Sequence, residues 1–245
     1  MKKRLNEKEI LNLIISKLGK NNLESSFGKD DISLIQLKSL IKSSKNYSLA
    51  ITNDMLVEHT DIPPTMNFKQ IARKSIVSCV SDLSAKGIRP IIAFVSLGIP
   101  PYLTKSNINE LINGFLFSSR EFGFFITGGD INESKELVID CCMIGFSDNN
   151  TRIPRRNGSL ESDYVVVSGS FGYTSSGLKI LMDNLKSPDD RFRKNSINSV
   201  LNPSPCFRFG MNLSKYFSSS IDSSDGLASS LYELAKESQM DLIID

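Results

Sequence analysis

NFKQIARKSIVSCVSDLSAK, residues 67–86, reads as one helix set between strands, and that reading decides the fold class. Ile71, Lys74, Ser75, Ser78 and Asp82 fall on neighbouring turns, and Gly87 follows as a stop just past the helix end. Upstream, ISLIQL and YSLAITND read as two strands joined by a Lys/Ser-rich turn, after a polar stretch from Asn21 to Asp31. Downstream, IIAFVSLGI is a β-rich run ended by Pro100 and Pro101. A second helix over residues 105–122 then precedes FFITGGD and ELVIDCCMIGF, both strand-like. Strands alternating with helices place residues 25–150 in an α/β or α+β class.

The segment SDNNTRIPRRNGSLESD, residues 147–163, is polar, carries Pro and Gly, and reads as a hinge. It divides the chain into an N-terminal domain, 1–150, and a C-terminal α+β domain, 151–245. In the second part, DYVVVSGSFGYTSSGLKILMDNL reads as strand, Gly/Ser-rich turn and helix, followed by a loop-rich stretch to Pro205. SIDSSDGLASSLYELAKESQ reads as a strand end opening a helix, and DLIID as the start of another strand, so this domain is expected to be truncated. At the other end, Ile10, Leu11, Ile14, Ile15 and Leu18 recur at helical spacing among charges. They mark an amphipathic helix closed by Gly19, not a signal peptide.

The chain of 245 residues is 40% hydrophobic and 23% charged, ordinary for a soluble protein able to bury a sizeable core. A net charge of +2 and a densest basic cluster of only Arg152 to Arg156 give no nucleic-acid footprint. No run is long enough to span a membrane. Cys79, Cys141, Cys142 and Cys206 lack metal-binding spacing and read as buried free thiols in a reducing cytoplasm, with Cys141 and Cys142 facing opposite sides of a strand.

Four apolar runs end in aspartate, at Asp54, Asp82, Asp130 and the Asp222/Asp225 pair, and Asp30 and Asp31 form a further acidic pair. Carboxylates delivered together repel unless a cation neutralises them, and oxygen donors with little His or Cys suit Mg²⁺ beside a polyphosphate. Each also has a plainer reading. Asp30-Asp31 would cap a helix or sit in a solvated turn, and Thr52-Asn53-Asp54 either ligates metal or opens a turn. Asp82 either pairs with Lys86 at i+4 or holds a cation. Gly128-Gly129-Asp130 either lets backbone approach phosphate or makes an ordinary turn. Ser224 or Asp225 would cap the helix that follows, or Asp222 and Asp225 would hold a cation there. GSFGYTSSG, residues 169–177, lacks the lysine of a P-loop. His59, the only histidine, has no nucleophile motif near it and reads as a surface or dimer-contact residue.

Together, KDD (29–31), TNDMLVEHTDIPP (52–64), ARKSIVSCVSDLSAKGIRP (72–90), VSLGIP (95–100), TGGD (127–130), RRNG (155–158), VVVSGSFGYTSSGL (165–178) and SIDSSDGLASSL (220–231) resemble the thiamine-monophosphate kinase family, in an archaeal style. That family shares a superfamily with aminoimidazole ribonucleotide synthetase. The resemblance implies a two-domain fold with a homodimer formed through the N-terminal sheet. It also implies ATP-dependent phosphorylation of thiamine monophosphate to thiamine diphosphate by direct in-line transfer, with no covalent catalytic side chain. Carried over by motif position, Asp31, Thr52, Asn53, Asp54, Asp82, Asp130, Asp222 and Asp225 would hold several Mg²⁺ ions. Gly129, Asp130, Arg156 and Ser224 would touch ATP, and Asp61 would lie near the substrate. Lys29 and Asn53 depart from the commoner Gly and Ser/Thr of the pattern, and Asp61 stands where many bacterial members have His. The alternatives are a truncated nucleotide-binding regulatory module, or a related ATP-dependent synthetase with another acceptor.

Overall fold

A computed structural model describes residues 30, 32–36, 47–148, 151–187 and 189–244. The helix expected near residues 10–18 and the expected metal ligand Asp31 lie outside the described residues. The strands are β1 (Ser33–Gln36), β2 (Tyr47–Val57), β3 (Pro90–Ile99), β4 (Phe125–Gly128), β5 (Ile131–Glu133) and β6 (Val138–Asp148). They form one mixed sheet in the order β1-β2-β6-β3-β4, with β5 also on β3. β2 and β3 both run antiparallel to β6, while β4 and β5 run parallel to β3.

Helix α1 (Glu58–Asp61) is a single turn leaving β2, and α2 (Phe68–Ala85) and α3 (Lys105–Phe122) pack on each other. Asn67 and Gln70 start α2 with a reciprocal capping box, at 2.9 and 3.1 Å. Gly87, at φ +69°, ends it, and a side chain there would strike Ser214. The buried stripe of α2 runs through Ile71, Ile76, Val80 and Leu83 and meets Ala50 and Leu56 of β2 and Ile139, Cys141 and Met143 of β6. Burying each such side chain contributes about 1.5–3 kcal/mol, so this layer carries much of the stability. α3 adds Leu111, Phe115 and Phe122 to the same core. On the opposite sheet face Tyr47, Met55, Phe94, Phe125 and Phe146 remain exposed.

The second part of the chain contributes α4 (Tyr173–Asp183), α5 (Asp190–Leu201), α6 (Phe207–Leu213), a 3-10 turn at Ser214–Tyr216, and α7 (Leu227–Ser238). α5 replaces the loop expected before Pro205. It is polar, with few apolar residues to show a period, but Asp189 caps it by accepting from the Phe192 amide at 2.7 Å. It crosses α4 at Gly177, where an added Cβ would lie 2.1 Å from the Ser196 carbonyl oxygen. α6 docks on α2 through Gly210, equally tight against the Ser84 backbone, and Arg73 of α2 donates to the Pro203 carbonyl at 2.7 Å.

Three expected strands do not form. Tyr164–Val167 is exposed, with Tyr164 at 95%, and residues 220–222 and 241–244 are irregular. Among the described residues the single isolated bridge, between Arg155 and Ser219, lies just before the second of these segments and includes none of them. An apolar run becomes a strand only when a neighbouring strand takes up its backbone groups.

Candidate active site

β2 and α2 carry the first half of the site. Thr52 faces the helix side of the sheet and its hydroxyl donates to the Asp82 carboxylate. Asp54, two residues on, shares that face. Burial raises its carboxyl above the usual range, Asp140 adds repulsion, and a hydrogen bond with Asp82 offsets part of both. Asn53 points to the other face and donates to Asp140 at 2.8 Å. A half-buried carboxyl such as Asp54, raised by burial and set beside Asp82, is what a hard cation relieves, so Thr52, Asp54 and Asp82 fit Mg²⁺. Among the described residues no three acidic, His or Cys side chains converge into a complete shell. Water and phosphate oxygens are the ordinary remaining Mg²⁺ ligands.

The Asp82 ion pair with Lys86 does not form. Lys86 is fully buried and its ammonium meets Asp30 at 2.9 Å, while Arg155 meets the same carboxylate at 2.7 Å. Asp30 is therefore a buried ionic centre, not a solvated turn or a cap. Lys86 also donates to the Ser220 carbonyl at 2.7 Å, and the Ser220 hydroxyl reaches the Ala85 carbonyl at 2.6 Å. These bonds tie the α2 C-terminus to the supposed hinge and to the loop carrying Asp222. The hinge is thus pinned at Arg155.

That knot closes one side of a cavity of about 2300 Å³. Asp30, Thr52, Asn53, Asp54, Asp61 and Asp82 line it from the first half of the chain, and Arg156, Asp222, Ser224 and Asp225 from the second. The α7 cap differs from the expectation: Gly226 occupies it with no side-chain bond, leaving Ser224 and Asp225 on the cavity wall. Asp61 lines the cavity, but its carboxylate accepts from the Val57 amide at 2.7 Å and closes its own helical turn.

Gly129 and Asp130 are not brought to that wall. Gly129, at φ +154°, lets the chain cross β3, where an added Cβ would lie 1.8 Å from the Val95 carbonyl oxygen. Asp130 is exposed; its carboxylate accepts from the Ile131 amide and its carbonyl from Leu97 at 2.8 Å. His59 is exposed, as expected for a surface residue. Of the thiols, Cys79 and Cys141 are buried, but Cys142 is half-buried and Cys206 exposed. Cys79 donates to the Cys141 carbonyl at 3.0 Å, and interaction with Cys141, then burial, pushes its thiol well up. Of two further site neighbours, Asp140 was not singled out by the sequence, and Lys74 was placed on the turns leading to Asp82 without a role in the site. The signal for each was a charge inside an apolar run, in LVIDCC and in IARKSIV.

Comparisons with known proteins bear on the family and the fold. The family model for AIR synthase related protein, N-terminal domain, matches residues 29–147. Thiamine-monophosphate kinase of Nitrosopumilus maritimus is 38% identical over 242 residues, covering 99% of this chain and 72% of its own length. The protein of the same name from Pyrococcus horikoshii is 33% identical over 197 residues, and the match covers 80% of this chain and 61% of that protein. The solved structure of AaThiL complexed with AMPPCP and TMP has a TM-score of 0.84 at 26% identity, covering 98% of this chain and 73% of that one. The hydrogenase maturation protein HypE, at 19% identity and a TM-score of 0.62, shares the fold. The architecture is the AIR synthase-like fold, a mixed sheet backed by helices. No helix among the described residues is long and apolar enough to cross a membrane.

Proposed function

This chain belongs to the thiamine-monophosphate kinase family, and from that premise we propose that it transfers the γ-phosphoryl group of ATP to thiamine monophosphate, giving thiamine diphosphate and ADP. The observation that carries the proposal is the single cavity walled by Thr52, Asp54 and Asp82 from one half of the chain and Arg156, Asp222 and Asp225 from the other. Phosphoryl transfer asks for in-line placement and charge neutralisation, and no side-chain nucleophile. The absence of a usable histidine is no obstacle to it.

Asp54 and Asp82 would hold Mg²⁺, with Thr52, Asn53 and, across the cavity, Asp222 and Asp225 completing oxygen sites. Asp31 and Asp130 belong to the same proposed set by motif. When bound, Mg²⁺ supplies neutralisation of phosphate charge. Arg156 and Ser224 would contact ATP, Gly129 belongs to the same set by motif alone, and Asp61 would border the acceptor. We place the domain division near residue 150.

The open sheet face would form a homodimer. Tyr47, Met55, Phe94, Phe125 and Phe146 make an apolar surface that a second copy would cover. Phe94→Lys is expected to shift sedimentation from dimer to monomer. A wild-type monomer at micromolar concentration would refute the dimer.

The activity is tested by incubating protein, ATP, Mg²⁺ and thiamine monophosphate and separating the products. Thiamine diphosphate and ADP in equal amounts are expected. ATP binding without product would favour a regulatory module, and product only with another acceptor would favour a related synthetase.

A further inference from the structure

Helix α2 and its C-cap carry two sequestered lysines that are treated differently. Lys86 is buried against the Asp30 carboxylate. Lys74 lines the cavity, where its ammonium donates to the main-chain carbonyl of Asp61, and among the described residues no carboxylate stands at ion-pair distance from it. Burial pushes its amine down from the ordinary lysine value, and the nearby Asp61 charge opposes this in part. A desolvated ammonium has three donors, and the Asp61 carbonyl occupies one. Lys74 and Arg156 are the cationic side chains among the described residues that wall this otherwise acidic cavity.

We propose that Lys74 binds the phosphate of the acceptor substrate and holds it in line for transfer, an assignment that rests on the kinase reading above. Lys74, Ser78 and Asp82 recur every four residues and all face the cavity. Eight residues of helix set Lys74 about 12 Å along the axis from Asp82. Side chains lean toward a helix N-terminus, which carries the ammonium away from Asp82 and toward α1, where it meets Asp61. The intervening space suits two phosphoryl groups approaching to about 3–3.5 Å, with the outer one about 2.8 Å from the ammonium. In the transfer, an oxygen of the acceptor phosphate forms the new bond to the γ-phosphorus. The bond to the β–γ bridging oxygen breaks, and its electron pair leaves on ADP. Lys74 keeps its protons throughout and supplies charge and position.

The test is calorimetric titration and steady-state kinetics on the full natural chain, comparing wild type, Lys74→Met, Lys74→Gln and Lys74→Arg. Thiamine monophosphate, thiamine and ATP serve as ligands. Lys74→Met fills the same buried stem, and Lys74→Gln keeps a donor for the Asp61 carbonyl. Both are expected to weaken thiamine monophosphate about tenfold or more and to raise its KM in parallel, with thiamine and ATP affinity held within about twofold. Lys74→Arg is expected to recover part of the loss. Unchanged affinity for thiamine monophosphate in both neutral variants overturns the assignment, and so does an equal loss for ATP. A wild type that binds ATP but neither binds nor phosphorylates thiamine monophosphate overturns the kinase reading instead, and takes the Lys74 assignment with it.

Discussion

Residues 30–148 and 151–244 carry equally strand-like apolar runs, yet only the first set became strands. In the first part every run has a partner: β6 alone is flanked by β2 and β3 over most of its length. In the second, Tyr164–Val167 and Ile243–Ile244 lie open, with Ile243 at 85% exposure, and among the described residues helices formed but no strand. A helix satisfies its backbone within itself, whereas a strand borrows from a neighbour distant in sequence. The cavity lies on the seam of these two parts, so its acidic residues are carried by different kinds of element. Thr52, Asp54 and Asp82 sit on packed elements, while Asp222 and Asp225 sit on a loop fastened at Ser220.

That contrast can be broken at the fastening. Lys86→Ala strips one cation from a buried centre and is expected to cost about 3–5 kcal/mol, lowering the melting temperature by roughly 10 °C. Combining Asp30→Asn with Lys86→Met should recover much of that loss; a single variant as stable as wild type would show the knot to be idle. Next in size, Asp82→Asn is expected to lower turnover about a hundredfold or more while circular dichroism and melting stay unchanged. Activity within a few fold of wild type would reduce Asp82 to a structural partner of Thr52.

Gly210→Ala strikes the seam itself, since the new methyl would meet the Ser84 backbone at 2.0 Å. A cost of about 1–3 kcal/mol is expected. Proteolysis should then cut beyond residue 151 while amide exchange in β2 and β6 stays slow, and equal loosening of both parts would deny the contrast.

The smallest effect should be a gain. The Asp54 carboxyl is raised in the fold, so its contribution favours the folded state in acid, below the unfolded value of 3.8, and is lost as pH rises through the folded value. At neutral pH and without metal, Asp54→Asn should therefore melt a few degrees above wild type, with the gain vanishing in acid and turnover lost. A neutral-pH melting point below wild type would show that Asp54 is not held under repulsion.

Much of the first part was legible because its signals are local. The helical run 67–86 and its Gly87 stop are contiguous in the chain, and residues 105–122 read as a helix in the same local way. α5 was not legible: its polar sequence hides the periodicity, and what orders it is contact with Gly177 and the Tyr173 ring. In the site, aspartate spelling pointed to Asp54 and Asp82, but no spacing rule could show that Lys86 reaches Asp30 rather than Asp82. Buried charges choose partners by proximity in space, and that proximity arises only once α2, Arg155 and Ser220 have converged.

By itself, then, the sequence determined α2, α3, α4 and α7, the central strands and the aspartates that end its apolar runs, because each follows from local periodicity and side-chain chemistry. Tertiary structure alone decided which strand-like runs became strands, which lysine was neutralised, and that Lys74 faces the cavity without a carboxylate at ion-pair distance among the described residues. Those outcomes depend on pairing and desolvation between segments far apart in the chain, which no local pattern contains.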